Sequence, residues 1–191
     1  MNRPWLRAVQ KLEFRAPAPY LARLRELEYA VAQSPAPYKL RSLRTNALKE
    51  ARELREAALF CYGMSARIGQ TVYLARGESQ DYDFVASWIV ENEQHFAPVQ
   101  LKELVPDHVN PSATLSGLVS GLRKYVSSPE LTVAIHINRQ LRFEPSALLG
   151  LELPIASLWA FAAASPDQSN WQLWGNFLEE PSVTSFTYPE A

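Results

Sequence analysis

The run LTVAIHINR, residues 131–139, is the sequence feature that most limits how this chain folds. Its residues are apolar almost without interruption, which is typical of a β-strand covered on both faces. The residues before it, from about 112 to 126, have helical spacing, and Ser112 is able to cap the helix. The apolar residues on one side of this helix are Leu115, Leu118, Val119 and Leu122. This order predicts an α/β fold in which layers cover the sheet on both sides.

Three more strands are predicted upstream of this helix. The segment TVYLARG (71–77) has the composition of a strand and ends at a turn. The segments DYDFVASWIV (81–90) and HFAPVQLKELV (95–105) follow, and the polar residues ENEQ (91–94) separate them. Two strand-like runs joined by a short polar segment indicate a β-hairpin.

Helices are predicted near both ends of the chain. Apolar residues recur at helical spacing over 19–33 and from about 42 to 62, and the Pro-rich segment 34–37 separates these two helices. A C-terminal helix is predicted from the spacing of Trp171, Trp174, Phe177 and Leu178.

The predicted order gives a single domain over residues 1–191 with three parts. Residues 1–37 form a basic helical extension, and residues 42–139 form a core that runs helix, three strands, helix, strand. Residues 140–191 form a C-terminal helical addition.

Charge is distributed unevenly along the chain. Residues 1–76 contain 14 Lys and Arg against 6 Asp and Glu, whereas residues 77–191 contain 5 against 14, and the net charge is -1. This asymmetry suits a basic surface for phosphates beside an acidic cation site, and it equally suits two halves that attract each other.

Composition and missing motifs exclude several classes of protein. The single Cys61 allows no internal disulfide and fits a reducing compartment. Charges interrupt the N-terminal apolar residues, and Glu152 and Pro154 interrupt the most apolar region, so neither a secretory signal nor a membrane span is expected. The sequence has no phosphate-binding P-loop, HExxH or GxSxG motif. We expect a soluble, cytoplasmic protein.

Two strands carry residues that point to a family. Asp83 lies near the start of the second predicted strand, and Gln100-Leu101-Lys102 lies in the third. Together with the order helix, three strands, helix, strand, this pattern resembles the PD-(D/E)xK, or restriction-endonuclease-like, superfamily of nucleases. In that superfamily an acid at the second strand is followed by an acid-x-Lys triplet in the third. The resemblance covers about half of the chain, and it implies Mg²⁺-dependent or Mn²⁺-dependent hydrolysis of DNA.

The resemblance also implies roles for individual residues. Asp83 and Gln100 would bind the metal through side-chain oxygens, and Leu101 would bind it through its backbone carbonyl. Lys102 would position the attacking water and stabilise charge in the transition state. The first core helix often supplies another acid in this superfamily. Glu53 is our choice over Glu50 and Glu56, although the sequence does not fix the rotation of that helix.

Strand geometry agrees with a shared site, but one residue departs from the pattern. Side chains two apart on a strand share a face, so Gln100 and Lys102 project together while Glu103 goes to the opposite face. Mg²⁺ prefers oxygen ligands. Gln100 offers an oxygen without the charge of an acid. Asp81 lies on the same strand face as Asp83 and is the nearest replacement for that charge.

Other functions remain open on the sequence alone. One is a catalytically inactive member of the same fold that binds nucleic acid or a protein, and another is an interaction or immunity-type protein whose contact face is the aromatic C-terminal helix. Asp81 and Asp83 also fit the capping of turn amides, and Lys102 fits a solvated charge on an edge strand. His136 is expected to be a hydrogen-bonded core histidine. A phosphate-contacting arm is one interpretation of Arg7, Arg15, Arg23 and Arg25, and a solvated helix face is the other.

Overall fold

A computed structural model describes residues 3–35, 49–77, 82–125 and 128–190. It has a mixed α/β fold built on one seven-stranded sheet, whose strands lie side by side in sequence order. The strands are β1 (Tyr73–Arg76), β2 (Phe84–Val90), β3 (Glu93–Leu104), β4 (Ser128–Ile137), β5 (Ile155–Ala163), β6 (Asn170–Gly175) and β7 (Ser182–Thr187). The helices in the described ranges are α1 (Arg3–Val9), α2 (Pro17–Ala32), α3 (Lys49–Ile68) and α4 (Leu115–Ser120), and a 3₁₀ turn (Gly121–Lys124) continues α4. The predicted α/β class is confirmed.

The connections explain the strand directions. Strands β1, β2 and β3 are antiparallel neighbours, β3, β4 and β5 are parallel, and β5, β6 and β7 are again antiparallel. The predicted hairpin is β2 and β3, and its two turn residues, Glu91 and Asn92, have positive φ angles of 49° and 67°. Two residues at positive φ give the turn that best matches the twist of a hairpin. The parallel step from β3 to β4 requires a crossover, which contains α4.

Strand β3 changes partner halfway along its length. Residues 93–99 pair with β2, and residues 99–104 pair with β4, so the two partners overlap only at Val99. After Val99, β3 no longer pairs with β2, so the backbone groups on that edge of β3 have no strand partner in the described part of the chain. We call this point the β2/β3 fork.

Helices cover the two faces of the sheet and give two large hydrophobic clusters. Helix α3 packs its segment Ala57–Cys61 against a face that includes Phe84, Leu101 and Ala134. On the other face, α4 and the 3₁₀ turn pack with Leu104 and Ile135. Strand β4 is therefore covered on both faces, as its apolar run predicted. Cys61 is fully buried in the first cluster, and burial raises the pKa of its thiol.

The helices predicted before β4 agree with the structure where residues are described. Helix α2 corresponds to the prediction over 19–33, and α3 corresponds to the later part of the prediction over 42–62. Its first residues, 42–48, lie outside the described residues, as do Ala36 and Pro37 of the separating segment and Asp81. Helix α4 begins after Thr114, whose hydroxyl accepts a hydrogen bond from the Gly117 N–H at 3.1 Å, so the predicted cap at Ser112 is wrong by two residues.

Residues 49–137 run helix, three strands, helix, strand, in the predicted order. The sheet is larger than that core because β5, β6 and β7 extend it. No helix in the described part of the chain is long and apolar enough to cross a membrane.

The predicted C-terminal helical addition over 140–191 is wrong. That region forms β5, β6, β7 and a 3₁₀ turn (Pro145–Leu148). Trp171 packs in the cluster on the α3 face, whereas Trp174 packs against the cluster on the α4 face. Residues three apart lie on opposite faces of a strand, so the spacing that suggested one helix stripe belongs to a strand covered on both sides.

Candidate functional site

Asp83 lies at the β2/β3 fork, where it satisfies a backbone group that has lost its strand partner. Its Oδ2 accepts a hydrogen bond from the Leu101 N–H at 2.6 Å and another from the side-chain amide of Gln100. The N–H of Asp83 itself bonds to the Val99 carbonyl at 2.9 Å, which fixes the start of β2. The sequence-based pairing of Asp83 with the Gln100 triplet is therefore a direct contact.

Asp83, Gln100 and Lys102 share one face of the sheet. Phe84 packs towards α3 while Val85 packs with Val9 of α1, so alternation places Asp83 on the face away from α3. On β3, Leu101 packs on the α3 face and Leu104 packs on the α4 face. Gln100 and Lys102 therefore project on the same side as Leu104, as their spacing predicted.

Acids of α3 reach the same fork from the opposite face. A cavity of about 60 Å³ is lined by Glu50 and Glu53 together with Asp83 and Leu101, and Arg76 also lines it. Glu53 is half-buried, and its carboxylate lies 3.4 Å from the Lys49 ammonium. Glu50 forms an ion pair with Arg76. The cavity thus brings together the predicted Asp83, Leu101 and Glu53.

Lys102 is half-buried, and its Nζ lies 5.8 Å from the centre of the Tyr125 ring. At Lys102, β3 pairs with β4 alone among the described strands and its other edge is open, so the edge position fits the edge-strand interpretation, whereas the side chain is half-buried and not fully solvated. A cation over an aromatic face is held in place by the quadrupole of the ring. Lys102 therefore has a defined position on the same face as Asp83.

The fork presents oxygen atoms of several kinds. Carboxylates come from Asp83, Glu50 and Glu53, and a backbone carbonyl comes from Leu101. That carbonyl lies on the same side of β3 as the Leu101 N–H, because both groups of one strand residue point in the same direction. Gln100 donates its amide to this carbonyl at 3.3 Å as well as to Asp83. Rotation of the amide would present its oxygen instead of its nitrogen.

A second cluster of polar side chains lies on the α3 face, farther along the same elements. Glu56 of α3, Glu103 of β3 and His136 of β4 each present a ligand atom, and these atoms all lie within 4.8 Å of one another. Glu103 and His136 are paired residues in the register of the two parallel strands. We call these three residues the Glu–Glu–His triad.

The sequence pattern did not predict the triad. The expectation that His136 is a hydrogen-bonded core histidine is half correct: it is 4% exposed, but within the described residues its Nδ1 has no hydrogen-bond partner. The signal in the sequence is the position of His136 in an otherwise apolar strand. Glu103 was excluded only because it faces away from Lys102, and this opposite face is where the triad lies.

A large open cleft lies beside His136. Its volume is about 760 Å³, and it lies where β4 ends and β5 ends, with Asn138, Arg139, Ala163 and Trp171 also in its wall. Clefts at the carboxyl ends of parallel strands are a common location for ligands in α/β folds. The guanidinium of Arg139 is held there by the carbonyls of Val105, Asn110 and Ala113.

Only part of the predicted basic arm is on the surface. Arg7, Arg15 and Arg23 are exposed. Arg25 is half-buried, lies over the rings of Tyr29 and Tyr188, and donates to the Asp167 carbonyl. Arg25 therefore links α2 to the C-terminal strands, and its role is structural.

The predicted aromatic contact face is also wrong. Trp171 is 1% exposed and Phe177 is 1% exposed, so neither side chain is available to a partner. Their burial follows from the strands that replace the predicted C-terminal helix.

Comparison of the chain with family models, with curated protein sequences and with solved structures gave no match. The functional argument therefore depends on the geometry of the residues themselves.

Proposed function

We propose that this protein is a nuclease that hydrolyses DNA phosphodiester bonds with Mg²⁺ or Mn²⁺ at the β2/β3 fork. The observation that carries the proposal is the cavity shared by Asp83, Leu101 and the α3 acids Glu50 and Glu53. These residues come from three separate elements. Their meeting at the point where β3 changes partner supports the resemblance to the PD-(D/E)xK superfamily.

The residues at the fork fit a hard cation. Mg²⁺ takes oxygen ligands and keeps several waters, so one or two carboxylates and a carbonyl suffice. Asp83, Glu53 and the Leu101 carbonyl would hold the ion, and Gln100 would add its amide oxygen after rotation. When bound, the ion would supply charge neutralisation at the phosphate and a lower pKa for a coordinated water.

Lys102, on the same face of the sheet as Asp83, would contact the DNA phosphate. Its ammonium has three N–H donors and no acceptor, so it suits negatively charged phosphate oxygens. The Tyr125 ring restricts where the ammonium lies, and a charge already in position costs little reorganisation during the reaction. Exposed Arg7, Arg15 and Arg23 would contribute affinity for the DNA backbone that falls with added salt.

A second function, DNA binding without cleavage, is favoured by two contacts at the fork. Gln100 donates to Asp83 and Lys49 pairs with Glu53, so both acids proposed as ligands already have partners. A metal ion would have to displace both contacts. In this case the fork would only stabilise the sheet, and the exposed residues Arg7, Arg15 and Arg23 would bind DNA without it.

The deciding experiment is a cleavage assay on plasmid and oligonucleotide DNA in Mg²⁺ or Mn²⁺, with EDTA as the metal-free reference. We expect Lys102→Ala and Asp83→Asn to lower the cleavage rate by about 10²- to 10⁴-fold, the range for loss of a positioned catalytic group. Lys124→Ala is the matched control, because Lys124 is exposed and its Nζ lies 5.4 Å from the centre of the same Tyr125 ring. It should leave the rate within about two-fold, because Lys124 is exposed and is not among the proposed ligands or catalytic groups.

The variant Gln100→Glu separates the two functions. If the wild type does not cut but Gln100→Glu does, the fork has an inherited site that lacks one charge, and DNA binding becomes the function. If the wild type cuts and both Lys102→Ala and Asp83→Asn cut equally well, the fork is not the active site. If no variant cuts and none retains DNA on a filter, both functions are rejected.

A further inference from the structure

We propose that the Glu–Glu–His triad is a binding site for a first-row transition-metal ion of the Zn²⁺ class, separate from the Mg²⁺ proposed at the fork. Glu56, Glu103 and His136 provide two carboxylates and one imidazole. This inference does not depend on DNA cleavage, because binding of a metal is its readout.

The fold brings the three side chains together by two independent constraints. The register of β3 with β4 places Glu103 opposite His136 on the α3 face. Helix α3 lies across that face with Ala57 and Phe60 in its core, and this packing turns Glu56 towards the sheet, where it is 4% exposed. The convergence therefore belongs to the buried framework of the protein and not to a mobile surface.

Two atoms of the triad are buried and lack ordinary partners. Among the described residues, neither Glu56 Oε1 nor His136 Nδ1 has a hydrogen-bond partner. The two atoms lie 3.3 Å apart, but not with the alignment of a hydrogen bond. A buried carboxylate oxygen that faces a buried imidazole nitrogen without a hydrogen bond is costly, so an arrangement of this kind points to a cation shared by the two groups.

The distance between two of the ligand atoms and the chemistry of all three indicate which cations fit the triad. Two ligands at about 2.0–2.1 Å from a tetrahedral ion lie roughly 3.3 Å apart, which agrees with the distance from His136 Nδ1 to Glu56 Oε1. An imidazole nitrogen is a ligand for Zn²⁺, Fe²⁺, Co²⁺ or Ni²⁺, whereas Mg²⁺ prefers oxygen. Three protein ligands leave a position for water, as in catalytic zinc sites.

Neighbouring groups hold the ligands in place. The Asn138 side-chain amide donates to Glu103 Oε1 at 2.7 Å, and Arg52 Nε lies 3.9 Å from Glu103 Oε2. The His136 ring stacks on Phe161 at 5.0 Å between ring centres and lies 5.8 Å from the Trp171 ring. Partners that orient ligating side chains in this way are typical of metal sites. His136 also lines the 760 Å³ cleft, which gives an ion a path from solvent.

The test uses the full chain after removal of metal by a chelator. Addition of Co²⁺ should produce visible absorption bands that saturate at one equivalent, and Zn²⁺ should abolish them by competition. Zn²⁺ at about 100 times its Kd should raise the Tm by roughly 5–10 °C, whereas Mg²⁺ at the same concentration should not. Both effects should be lost in Glu56→Gln and in Glu103→Gln.

Matched variants distinguish the triad from the other acids of the same elements. Glu53→Gln removes a carboxylate one turn away on the same helix, and Asp83→Asn removes the acid of the fork, so both should keep the Co²⁺ bands. Glu56→Gln keeps the shape of the side chain and should leave the metal-free Tm unchanged or higher; if it fails to fold, the half-buried Glu103→Gln carries the test. Bands that persist in Glu56→Gln and Glu103→Gln, or a wild type that binds no Co²⁺, would overturn the proposal and leave the triad held by a proton.

Discussion

At the scale of single residues, Tyr188 shows how the end of the chain is attached to the helices. Its hydroxyl donates to the Leu21 carbonyl of α2 at 3.0 Å, and the side chain is 5% exposed. Burial raises the pKa of Tyr188 to about 12, and the nearby Arg55 guanidinium partly opposes this shift. The neutral phenol is therefore the form that the folded state favours.

Tyr188→Phe tests this attachment. Loss of the hydrogen bond should lower the free energy of unfolding by about 1 kcal/mol at pH 7–9. Because the folded pKa is raised from 10 to about 12, this contribution is complete below pH 10 and is lost between pH 10 and 12. Urea unfolding across that range should show the advantage of the wild type disappear, with Tyr188→Phe the more stable protein near pH 12, because ionisation of the buried phenol costs more than one hydrogen bond. The exposed Tyr73→Phe is the control; a gap for Tyr188→Phe that stays constant to pH 12 would contradict the argument.

The candidate sites show which residue contacts a sequence can reveal. Alternation alone placed Gln100 and Lys102 on one face, because the period of a strand is two and applies without knowledge of its neighbours. The Glu103–His136 pairing required the register between β3 and β4, which no pattern within either strand contains. The choice between Glu53 and Glu56 required the rotation of α3, and the structure directs these two acids to different sites.

At the scale of whole elements, the C-terminal strands show why periodicity failed. Strand β6 begins with polar–apolar alternation over 170–173, but Trp174 then places a large apolar residue on its less buried face, which packs against the cluster on the α4 face, so the alternation is short. Trp171 and Trp174 then mimic the i, i+3 spacing of a helix. The upstream hairpin was predictable because its turn is polar and short, whereas the last three strands carry no equally clear signal.

Gly175 at the end of β6 is an element-scale position where a side chain cannot fit. Its φ is +140°, and an added Cβ would lie 2.7 Å from Trp159 Cε3 and 2.9 Å from the Leu158 carbonyl oxygen. Backbone atoms cannot move aside as a flexible side chain can. We expect Gly175→Ala to lower the free energy of unfolding by about 2–4 kcal/mol, from strain together with overpacking.

Gly121 is the matched control for this prediction. It follows α4 with φ -67°, and an added Cβ would meet nothing within 4 Å. Gly121→Ala should be neutral or stabilise by up to about 1 kcal/mol, because alanine restricts the unfolded chain. Chemical denaturation of both variants measures the difference, and equal stabilities would show that the Trp159 region relaxes around a new methyl group.

At the scale of the whole molecule, ion pairs form some of the contacts between the basic half of the sequence (1–76) and the acidic half (77–191). The described ion pairs include Arg52 with Glu103, which connects α3 to β3 across the two halves. Others lie within one half, such as Arg55 with Glu28 at 2.7 Å between α3 and α2, and Arg139 with Asp107 at 2.7 Å. Ion pairing therefore joins the halves in part, and of the arginines in the proposed DNA contact Arg7, Arg15 and Arg23 are exposed, with Arg15 paired to Glu13 at 3.1 Å.

The two hydrophobic clusters share β4, and this arrangement predicts a single cooperative unfolding transition. Ala134 packs on the α3 face, and Val133, Ile135 and Ile137 pack on the α4 face. Disruption of β4 therefore removes support from both clusters at once. It also separates β3 from β5, since the three strands are consecutive in the sheet.

Ile135→Ala measures this coupling. Ile135 is 0% exposed, so its truncation should lower the free energy of unfolding by about 2–5 kcal/mol, through lost burial and the cavity left behind. Val183→Ala on β7, where Val183 is 54% exposed, should cost less than about 0.5 kcal/mol. Tryptophan fluorescence reports on five residues, of which three lie on β5 and β6, whereas Trp5 lies on α1 and Trp88 on β2, and far-ultraviolet circular dichroism reports on all helices and strands. Because one strand supports both faces, the two signals should shift together in Ile135→Ala; a fluorescence transition that stays at the wild-type midpoint would mean that the C-terminal strands unfold as a separate unit.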